Sequence, residues 1–402
     1  MATDTETYFR CIYCGRQKPD AERSLEHIWP QGLGGAHAPD FFQTTSVCRT
    51  CNNLVGLFVD GEYQRSFFMG VESIGAALSF LDDRHPIALP LVFMGVNPTP
   101  HGDGEICEQW LGPRGDKVYF FHGQDRDDFR TYAGGDPIKR RKRDPGRVYL
   151  SFSRANIFWI DTVMLSVRAQ FPRAELRLLT TTNVPHLLAQ TTAESVQSVA
   201  DRAYLEPMWR DKSSSIGMAL SLDHALRFQA KMALGFGHAL FGAAFAELPY
   251  EETLRSILWE RDSARRGELP IIGSSIFNPP EPDPIIDRLA YPGAFTIVFN
   301  GSRDGVFLTV FSPGGRRLDT QIVPAPVALP SQLLQDHLGS FVVLLVPARA
   351  TAVGPLPIGH YAMHRLGSLV LDAVARLDAL RVSIEDLEQR LRRYDIAQPN
   401  AL

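Results

Sequence analysis

The chain lacks a long apolar run, a strong net charge and any repeated or low-complexity tract. Its longest apolar stretch, Met232 to Ala246, has 15 residues and includes His238, which is short of the roughly 20 that a bilayer-crossing helix needs. The formal net charge is only -4 over 402 residues, so any surface that binds nucleic acid must be local. These absences exclude a membrane span and a chain drawn to phosphate by its bulk charge.

Cysteine is also scarce, and its distribution is uneven. Four of the five cysteines form two CxxC pairs in the first 51 residues, and these are Cys11, Cys14, Cys48 and Cys51. The N-terminus, MATDTETYFRC, has acidic residues where a secretion signal has basic ones and then an apolar run, which favours a cytoplasmic protein. A reducing compartment argues against two disulfides. We therefore interpret the pairs as a structural Zn²⁺ site, since four thiolates fill a tetrahedral shell, rather than as buried core thiols.

Length and composition predict a folded protein of two or three domains. The apolar fraction of 45% and charged fraction of 21% are typical of soluble globular proteins, and 402 residues exceed one ordinary core. We expect an α+β protein divided at residues 1–70, 71–276 and 277–402. The first part is too small to fold on its core alone, and zinc would supply the missing stability.

Hydrophobic periodicity places several elements in the first two parts. A helix is predicted over Asn53 to Phe68 and another over Asn156 to Gln170. The runs PLVFMGV, RVYLSFS and LRLLTTT resemble strands, and YEETLRSILWERD a helix. A long helix that begins near Leu222 is apolar on nearly every side, which indicates a buried central position. His224 and His238 lie seven residues on either side of Lys231, and we assign both histidines to this scaffold rather than to a site.

The last part begins with a proline-rich connection, FNPPEPDPIID, at residues 277–287, which disfavours regular structure. The runs AFTIVFN, GVFLTVFS and FVVLLVPA, separated by turn-rich segments, predict an antiparallel sheet. Two helices are expected to follow, one from Arg365 to Leu380 and one capped by Ser383.

Between the cysteine pairs, the sequence resembles the HNH endonucleases of the ββα-metal class. The similarity covers about 50 residues and is carried by Glu26-His27, the turn Leu33-Gly34-Gly35, and Asn52 directly after Cys51, all within the zinc frame. The resemblance implies a small zinc-stapled ββα-metal unit, followed here by a larger mixed region with an antiparallel sheet. Gln43 stands where the family usually has an asparagine that orients the histidine through the backbone, and Thr44 or Thr45 are alternatives for that role.

The implied activity is metal-dependent hydrolysis of DNA phosphodiester bonds. By resemblance His27 is the general base, and Glu26 and Asn52 are ligands of a catalytic Mg²⁺ or Mn²⁺, with Asn53 as the alternative to Asn52. The chemistry agrees, because a neutral imidazole accepts a proton near neutral pH and carboxylate and amide oxygens suit a hard cation.

Two further features of the sequence, a basic run and the long C-terminal region, each allow more than one interpretation. The run Lys139, Arg140, Arg141, Lys142 and Arg143 is a candidate nucleic-acid contact, since it can neutralise several phosphates; a solvated loop is the alternative. The roughly 330 residues beyond the nuclease unit are more than cutting needs, which raises the hypothesis of a sensing region, as in bacterial antiviral effectors that join an HNH unit to a domain for a ligand or protein partner. The competing hypothesis is a zinc-dependent nucleic-acid or protein interaction module without catalysis.

Overall fold

The structure is a computed structural model. It describes residues 7–81, 88–99, 101–102, 104–123, 145–151, 159–179, 195–210, 223–260, 262, 265, 268–274, 278–302, 305–324, 340–383 and 385–389. The chain forms two compact units: Met1–Gln64 with Leu222–Arg381, and Arg65–Ser221 with Val382–Leu402. This division differs from the boundaries expected at residues 70 and 276, which stay predictions about the organisation of the sequence.

The N-terminal part of the first unit consists of two small hairpins and a helix. Its elements are β1 (Tyr8–Arg10), β2 (Gln17–Pro19), β3 (Arg23–His27), β4 (Gln43–Cys48), α1 (Arg49–Val55), a π-helical turn (Gly56–Asp60) and α2 (Gly61–Arg65). Strands β1 and β2 pair antiparallel, as do β3 and β4. The helix predicted from Asn53 thus begins four residues earlier, at Arg49, so Asn52 is already helical.

The second unit is a five-stranded sheet with helices. Its elements are α3 (Phe67–Ser79), β5 (Val92–Val96), β6 (Ile106–Leu111), β7 (Lys117–His122), β8 (Gly146–Ser151), α4 (Ile160–Gln170), β9 (Ala174–Leu178) and α5 (Val196–Arg210). The strands follow one another in chain order, all antiparallel except β8 and β9. Cys107 is buried in the core of this sheet beside Tyr119 and Phe121.

The rest of the first unit consists of helices and a second sheet. Its elements are α6 (Asp223–Phe241), α7 (Ala243–Ala246), α8 (Pro249–Trp259), β10 (Phe295–Ser302), β11 (Gly305–Phe311), β12 (Arg317–Val323), β13 (Ser340–Val346), β14 (Thr351–Pro357), α9 (Ile358–Arg365) and α10 (Asp372–Leu380). The strand order is β12-β11-β10-β13-β14, antiparallel throughout. The predicted antiparallel sheet is therefore confirmed.

One predicted helix of this region was wrong in its bounds. The segment from Arg365 to Leu380 is not continuous: α9 ends at Arg365, and α10 begins only at Asp372. Gly367 adopts a positive φ of 75°, a conformation that ends a helix. The predicted cap at Ser383 is present, since its hydroxyl accepts a hydrogen bond from the Asp386 amide.

Helix α6 lies in the core of the first unit and contacts the N-terminal hairpins through aromatic residues. Trp29 packs edge-on against Phe228 of α6 at 5.7 Å and against Phe295 of β10 at 5.3 Å. Phe42 contacts Phe236, also of α6, at 4.9 Å. The long apolar helix is thus buried as predicted, and it packs against the residues that follow β3 and precede β4. Among the described residues, no helix is long and apolar enough to cross a membrane.

Candidate functional site

The four N-terminal cysteines come together as one cluster. Their sulfur atoms all lie within 4.8 Å of one another, and none is in a disulfide. Four sulfurs around Zn²⁺ at 2.3 Å stand about 3.8 Å apart, so the cluster fits tetrahedral zinc. The Cys48 amide also donates to the Cys11 sulfur at 3.4 Å, a contact that favours a thiolate there. The hairpin turn after β1 and the junction of β4 with α1 supply one cysteine pair each.

Hydrogen bonding within the cluster makes the cysteine thiols unequal in acidity. The pKa of Cys11 is lowered to about 4, first by a hydrogen bond from the Cys51 thiol and against the effect of burial. The same hydrogen bond, in which Cys51 is the donor, raises the pKa of Cys51 far above its usual range. Zinc binds thiolates, so its binding would displace the protons that these thiols carry.

A β-bulge in strand β3 sets the direction of the side chains that follow it. The register between β3 and β4 shifts between Ser24 and Glu26, with the side chain of Leu25 half-exposed. Bulges re-aim neighbouring side chains. Here Glu26 points inward and is only 3% exposed, while His27 ends the strand at the partly exposed surface.

The Glu26 carboxylate is held by two buried groups. Its Oε1 accepts a hydrogen bond from the Tyr13 hydroxyl at 3.0 Å and lies 3.0 Å from the Lys231 ammonium nitrogen. Both of these contacts fall on Oε1 rather than on Oε2. Desolvation, followed by the nearby Glu26 charge, raises the pKa of Tyr13 and keeps its hydroxyl a hydrogen-bond donor.

The acidity of His27 is set by its burial and by two neighbouring charges. Burial, with a smaller contribution from the Lys231 charge, lowers the pKa of His27 below its ordinary value, against the opposing effect of Glu26. The ring is therefore neutral at pH 7. Its Nδ1 lies 2.9 Å from the side-chain amide nitrogen of Gln31, and this contact orients the imidazole.

Asn52 ties helix α1 to strand β3. Its Nδ2 donates to the Leu25 carbonyl at 2.8 Å and to the Ser24 hydroxyl at 3.1 Å. Because the amide nitrogen is used by these two oxygens, the amide oxygen Oδ1 is the atom that can ligate a metal. Asn53, the alternative ligand, is exposed on the neighbouring helix position.

The contacts of Lys231 place it in the site, although sequence reasoning treated the surrounding helix as scaffold. Its Nζ donates to the His27 carbonyl at 2.8 Å and to both carboxylate oxygens of Asp60, at 2.9 and 2.8 Å. Burial lowers the pKa of Lys231, but Asp60 and Glu26 outweigh it and raise the pKa overall. The sequence feature that could have indicated this role is a lysine within an otherwise apolar helix, because a buried charge requires polar partners.

The two histidines of α6 are part of the scaffold, as predicted. His224 pairs with Glu62 at 2.6 Å and His238 with Glu251 at 2.8 Å. Glu251 is also paired with Arg10 of β1 at 2.9 Å and with Arg255 of α8 at 2.6 Å. The pairs of Glu251 thus connect strand β1, which precedes Cys11, to helices α6 and α8.

Among the described residues, the other candidates for orienting the histidine, Gln43, Thr44 and Thr45, make no side-chain hydrogen bond to it. Gln43 is the strand partner of His27, and the Thr44 hydroxyl accepts a hydrogen bond from the Ser46 amide. Thr45 contributes only its carbonyl, to Arg23. The basic run 139–143 lies outside the described residues.

A second group of potential metal ligands lies in the second unit. Donor atoms of His101, Glu105 and Asp201 are within 4.8 Å of one another. The Arg147 guanidinium, however, contacts Glu105 at 2.6 Å and Asp201 at 2.6 Å, and Tyr149 donates to Asp201 at 2.5 Å. The carboxylates are neutralised by arginine, so an ion-pair network accounts for this group.

Comparison with known proteins identifies the N-terminal part of the chain. No curated protein and no solved structure matches the chain. A protein-family model described as HNH endonuclease matches residues 11–68, a range that includes the cysteine cluster, Glu26, His27 and Asn52. The remainder of the chain has no assigned family. Residues 11–68 are therefore an HNH endonuclease domain with a four-cysteine cluster.

Proposed function

We propose that this protein is a metal-dependent endonuclease of the cytoplasm that hydrolyses DNA phosphodiester bonds with His27 as general base. The observation that carries the proposal is the position of His27. It is a partly exposed, neutral imidazole at the end of β3, next to a helix fixed to that strand by the Asn52 amide. The family match supports nuclease chemistry for the same residues.

In the proposed reaction, His27 takes a proton from the water that attacks phosphorus. The side-chain amide nitrogen of Gln31 lies 2.9 Å from Nδ1; rotation of this amide by 180° would place its oxygen there as an acceptor for Nδ1–H and leave Nε2 as the basic nitrogen. Burial keeps the ring neutral before the reaction, and Glu26 one residue away stabilises the imidazolium that forms.

The catalytic cation that we propose is Mg²⁺ or Mn²⁺, held by Asn52 and Glu26. Their oxygens are the donors that a hard cation takes, and they fit through Asn52 Oδ1 and Glu26 Oε2, the atoms that the contacts above leave open. When bound, the ion stabilises the charge that develops on the phosphate and the leaving oxygen. The zinc that we assign to Cys11, Cys14, Cys48 and Cys51 is structural, because four sulfurs leave no open position.

The proposal is tested by plasmid nicking. Purified protein is incubated with supercoiled DNA and Mg²⁺, Mn²⁺ or EDTA, beside His27→Ala and a matched control, His37→Ala, which changes an exposed histidine of the same domain. We expect nicking only with a divalent cation, loss of at least about 100-fold in His27→Ala, and full activity in His37→Ala. Equal activity in both variants contradicts the base assignment.

The competing hypothesis is a zinc-dependent interaction module without catalysis. It predicts DNA or protein binding, with no nicking under any metal condition. Binding is measured by fluorescence anisotropy in EDTA with labelled duplex, which separates the two hypotheses because the nuclease binds and also cuts once Mg²⁺ is added.

The proposed DNA contact outside the domain is the basic run Lys139 to Arg143. Replacing all five residues by glutamine is expected to weaken duplex binding and to reduce the slope of log affinity against log salt by up to about 4.5, if all five contact phosphates. An unchanged affinity and slope contradict the contact.

We further propose that the chain beyond residue 68 regulates cutting, as in an anti-phage effector that responds to a ligand or protein partner. The basis is that the family match ends at residue 68 of 402, so most of the chain lies outside the matched nuclease region. The expected result is nicking by the purified protein that rises on addition of extract from phage-infected cells but not from uninfected cells. A constant specific activity contradicts regulation.

A further inference from the structure

The side chain of Lys231 is completely buried in the middle of helix α6. Its helix neighbours Ala230, Met232 and Ala233 are buried and apolar. Burying an ammonium costs several kcal/mol unless its charge and its donors are satisfied. The partners of Lys231 therefore indicate why a charge is present at this position.

The three protons of the ammonium meet three groups, of which two belong to consecutive residues of the site. Nζ lies 2.8 Å from the His27 carbonyl oxygen and 3.0 Å from Glu26 Oε1. The third partner is the Asp60 carboxylate, which binds through both oxygens. Asp60 alone neutralises the lysine, so the contact with the neutral His27 carbonyl is not needed for charge balance.

Apolar packing already attaches helix α6 to this part of the chain. A Cβ at Gly235 would lie 2.5 Å from Ile28 Cγ2, and Phe228 packs on Trp29. Buried ion pairs are often no more stabilising than apolar side chains of the same size. The contribution of the ammonium that apolar packing cannot replace is orientation. Its polar contacts fix the carbonyl of His27 and the carboxylate of Glu26 in one orientation.

We propose that Lys231 is a positioning residue of the endonuclease, which holds the end of β3 so that the His27 imidazole is aimed at its substrate. The inference rests on the proposed function for its effect on cleavage. From the other side, the Ile28 amide donates to the Phe42 carbonyl at 2.8 Å. The peptide unit that joins His27 and Ile28 is thus held at its oxygen by Lys231 and at its nitrogen by Phe42.

The test compares Lys231→Met with Asp60→Asn, since the two variants break the same ion pair from opposite sides. Only Lys231→Met removes the donor to the His27 carbonyl. In the metal-dependent nicking assay we expect kcat to fall by about 30-fold or more in Lys231→Met, because small misplacements of a reacting group are costly. The KM for DNA should stay within about threefold, and Asp60→Asn should keep a kcat within about threefold of the parent.

Folding is controlled by the double variant Lys231→Met/Asp60→Asn, which leaves neither Lys231 nor the Asp60 charge behind. Its zinc content and melting temperature are measured with those of the single variants. We expect the double variant to recover stability relative to Lys231→Met and still to show the low kcat. A kcat in Lys231→Met or in the double variant equal to that of Asp60→Asn overturns the proposal.

A second measurement is independent of cleavage. Hydrogen exchange of the Ile28 amide, followed by NMR, should be at least about tenfold faster in the double variant than in Asp60→Asn, because one of the two anchors of this peptide unit is lost. If the parent protein does not nick DNA, the proposed function fails and this exchange rate alone decides the positioning role. Equal Ile28 exchange in the two variants overturns it.

Discussion

The side-chain amide of Asn52 donates to the carbonyl of Leu25 at 2.8 Å, which joins the first helix of the domain to the bulge in its neighbouring strand. The bulge displaces Leu25 from the regular β3–β4 register, and its carbonyl receives a side-chain donor. Asn52 therefore has two functions: its nitrogen fixes the bulge, and its oxygen is the proposed metal ligand.

Replacing Asn52 tests both functions. We expect Asn52→Ala to abolish metal-dependent nicking and to lower the free energy of unfolding by about 1 kcal/mol through the lost hydrogen bonds. Asn53→Ala is the matched control, because Asn53 is exposed and follows directly in the same helix. Nicking assays and urea unfolding of both variants provide the measurement. Loss of nicking in Asn53→Ala with retention in Asn52→Ala would assign the ligand to Asn53.

Zinc should be necessary for the N-terminal fold. Cys48→Ser removes one of four clustered sulfurs, and structural zinc supplies apparent binding free energies of roughly 10–16 kcal/mol in small zinc domains. We expect the variant to lose stoichiometric zinc and to unfold in its first 70 or so residues, as measured by elemental analysis and hydrogen exchange. The control is Cys107→Ser, a buried cysteine of the second unit, which should keep its zinc. Full zinc content in Cys48→Ser would contradict a four-sulfur site.

Acid should weaken the ion-pair cluster around Glu251. Burial raises the pKa of Glu251, but hydrogen bonds from His238 and Arg255 outweigh it and lower the pKa to about 2, against roughly 4.3 in an unfolded chain. Because the folded-state pKa is the lower one, the contribution of Glu251 to stability is present above about pH 4.3 and is lost as the pH falls toward 2.

Glu251→Gln should accordingly lower the free energy of unfolding by about 3 kcal/mol at pH 7, and the difference from the parent protein should shrink between pH 5 and pH 3. Urea unfolding over this pH range is the measurement. Glu252→Gln is the control, since Glu252 pairs with the same Arg255 but is 74% exposed in its side chain, and its effect should stay below about 1 kcal/mol. A pH-independent effect of Glu251→Gln would contradict the lowered pKa.

Local sequence patterns were sufficient to predict the zinc frame and much of the fold. Cysteine spacing predicted the cluster, and alternation of apolar residues predicted the strands beginning near Phe295, Gly305 and Phe341. Strand β12 was missed because Arg317–Val323 alternates weakly, with arginine, aspartate and glutamine among its residues. Strand β14 was missed because it carries Gly354 and Pro355, which are rare in strand interiors.

The part of the site that sequence could not predict depends on contacts between distant residues. Lys231 lies 204 positions from His27 along the chain, and no spacing rule relates the two. The sequence offered Gln43, or the hydroxyl of Thr44 or Thr45, as the group that orients His27 through its backbone. Only the fold shows that the carbonyl is held from helix α6.

The turn that follows Trp29 should tolerate no side chain at Gly35, the second glycine of the Gly34-Gly35 pair. An ideal Cβ at Gly35 would lie 1.9 Å from the Trp29 carbonyl oxygen and 2.9 Å from that of Pro30. The close approach is fixed by two hydrogen bonds: the Gly35 amide donates to the Pro30 carbonyl at 3.0 Å, and the Trp29 indole donates to the Leu33 carbonyl at 2.8 Å. Since both neighbouring atoms belong to the backbone, the turn itself must open to admit a methyl group.

Gly35→Ala is therefore expected to lower the free energy of unfolding by about 3 kcal/mol, the upper range for overpacking a rigid site, and to reduce nicking, because Trp29 lies two residues after His27. Gly56→Ala is the matched control: it adds the same methyl group in a helical conformation with φ of −59° and no atom within 4 Å, and alanine favours helix over glycine by roughly 1 kcal/mol. Urea unfolding should show the two substitutions moving stability in opposite directions. A Gly35→Ala protein as stable as Gly56→Ala would mean that the turn relaxes without cost, and that the spacing between His27 and the glycine pair does not constrain the site.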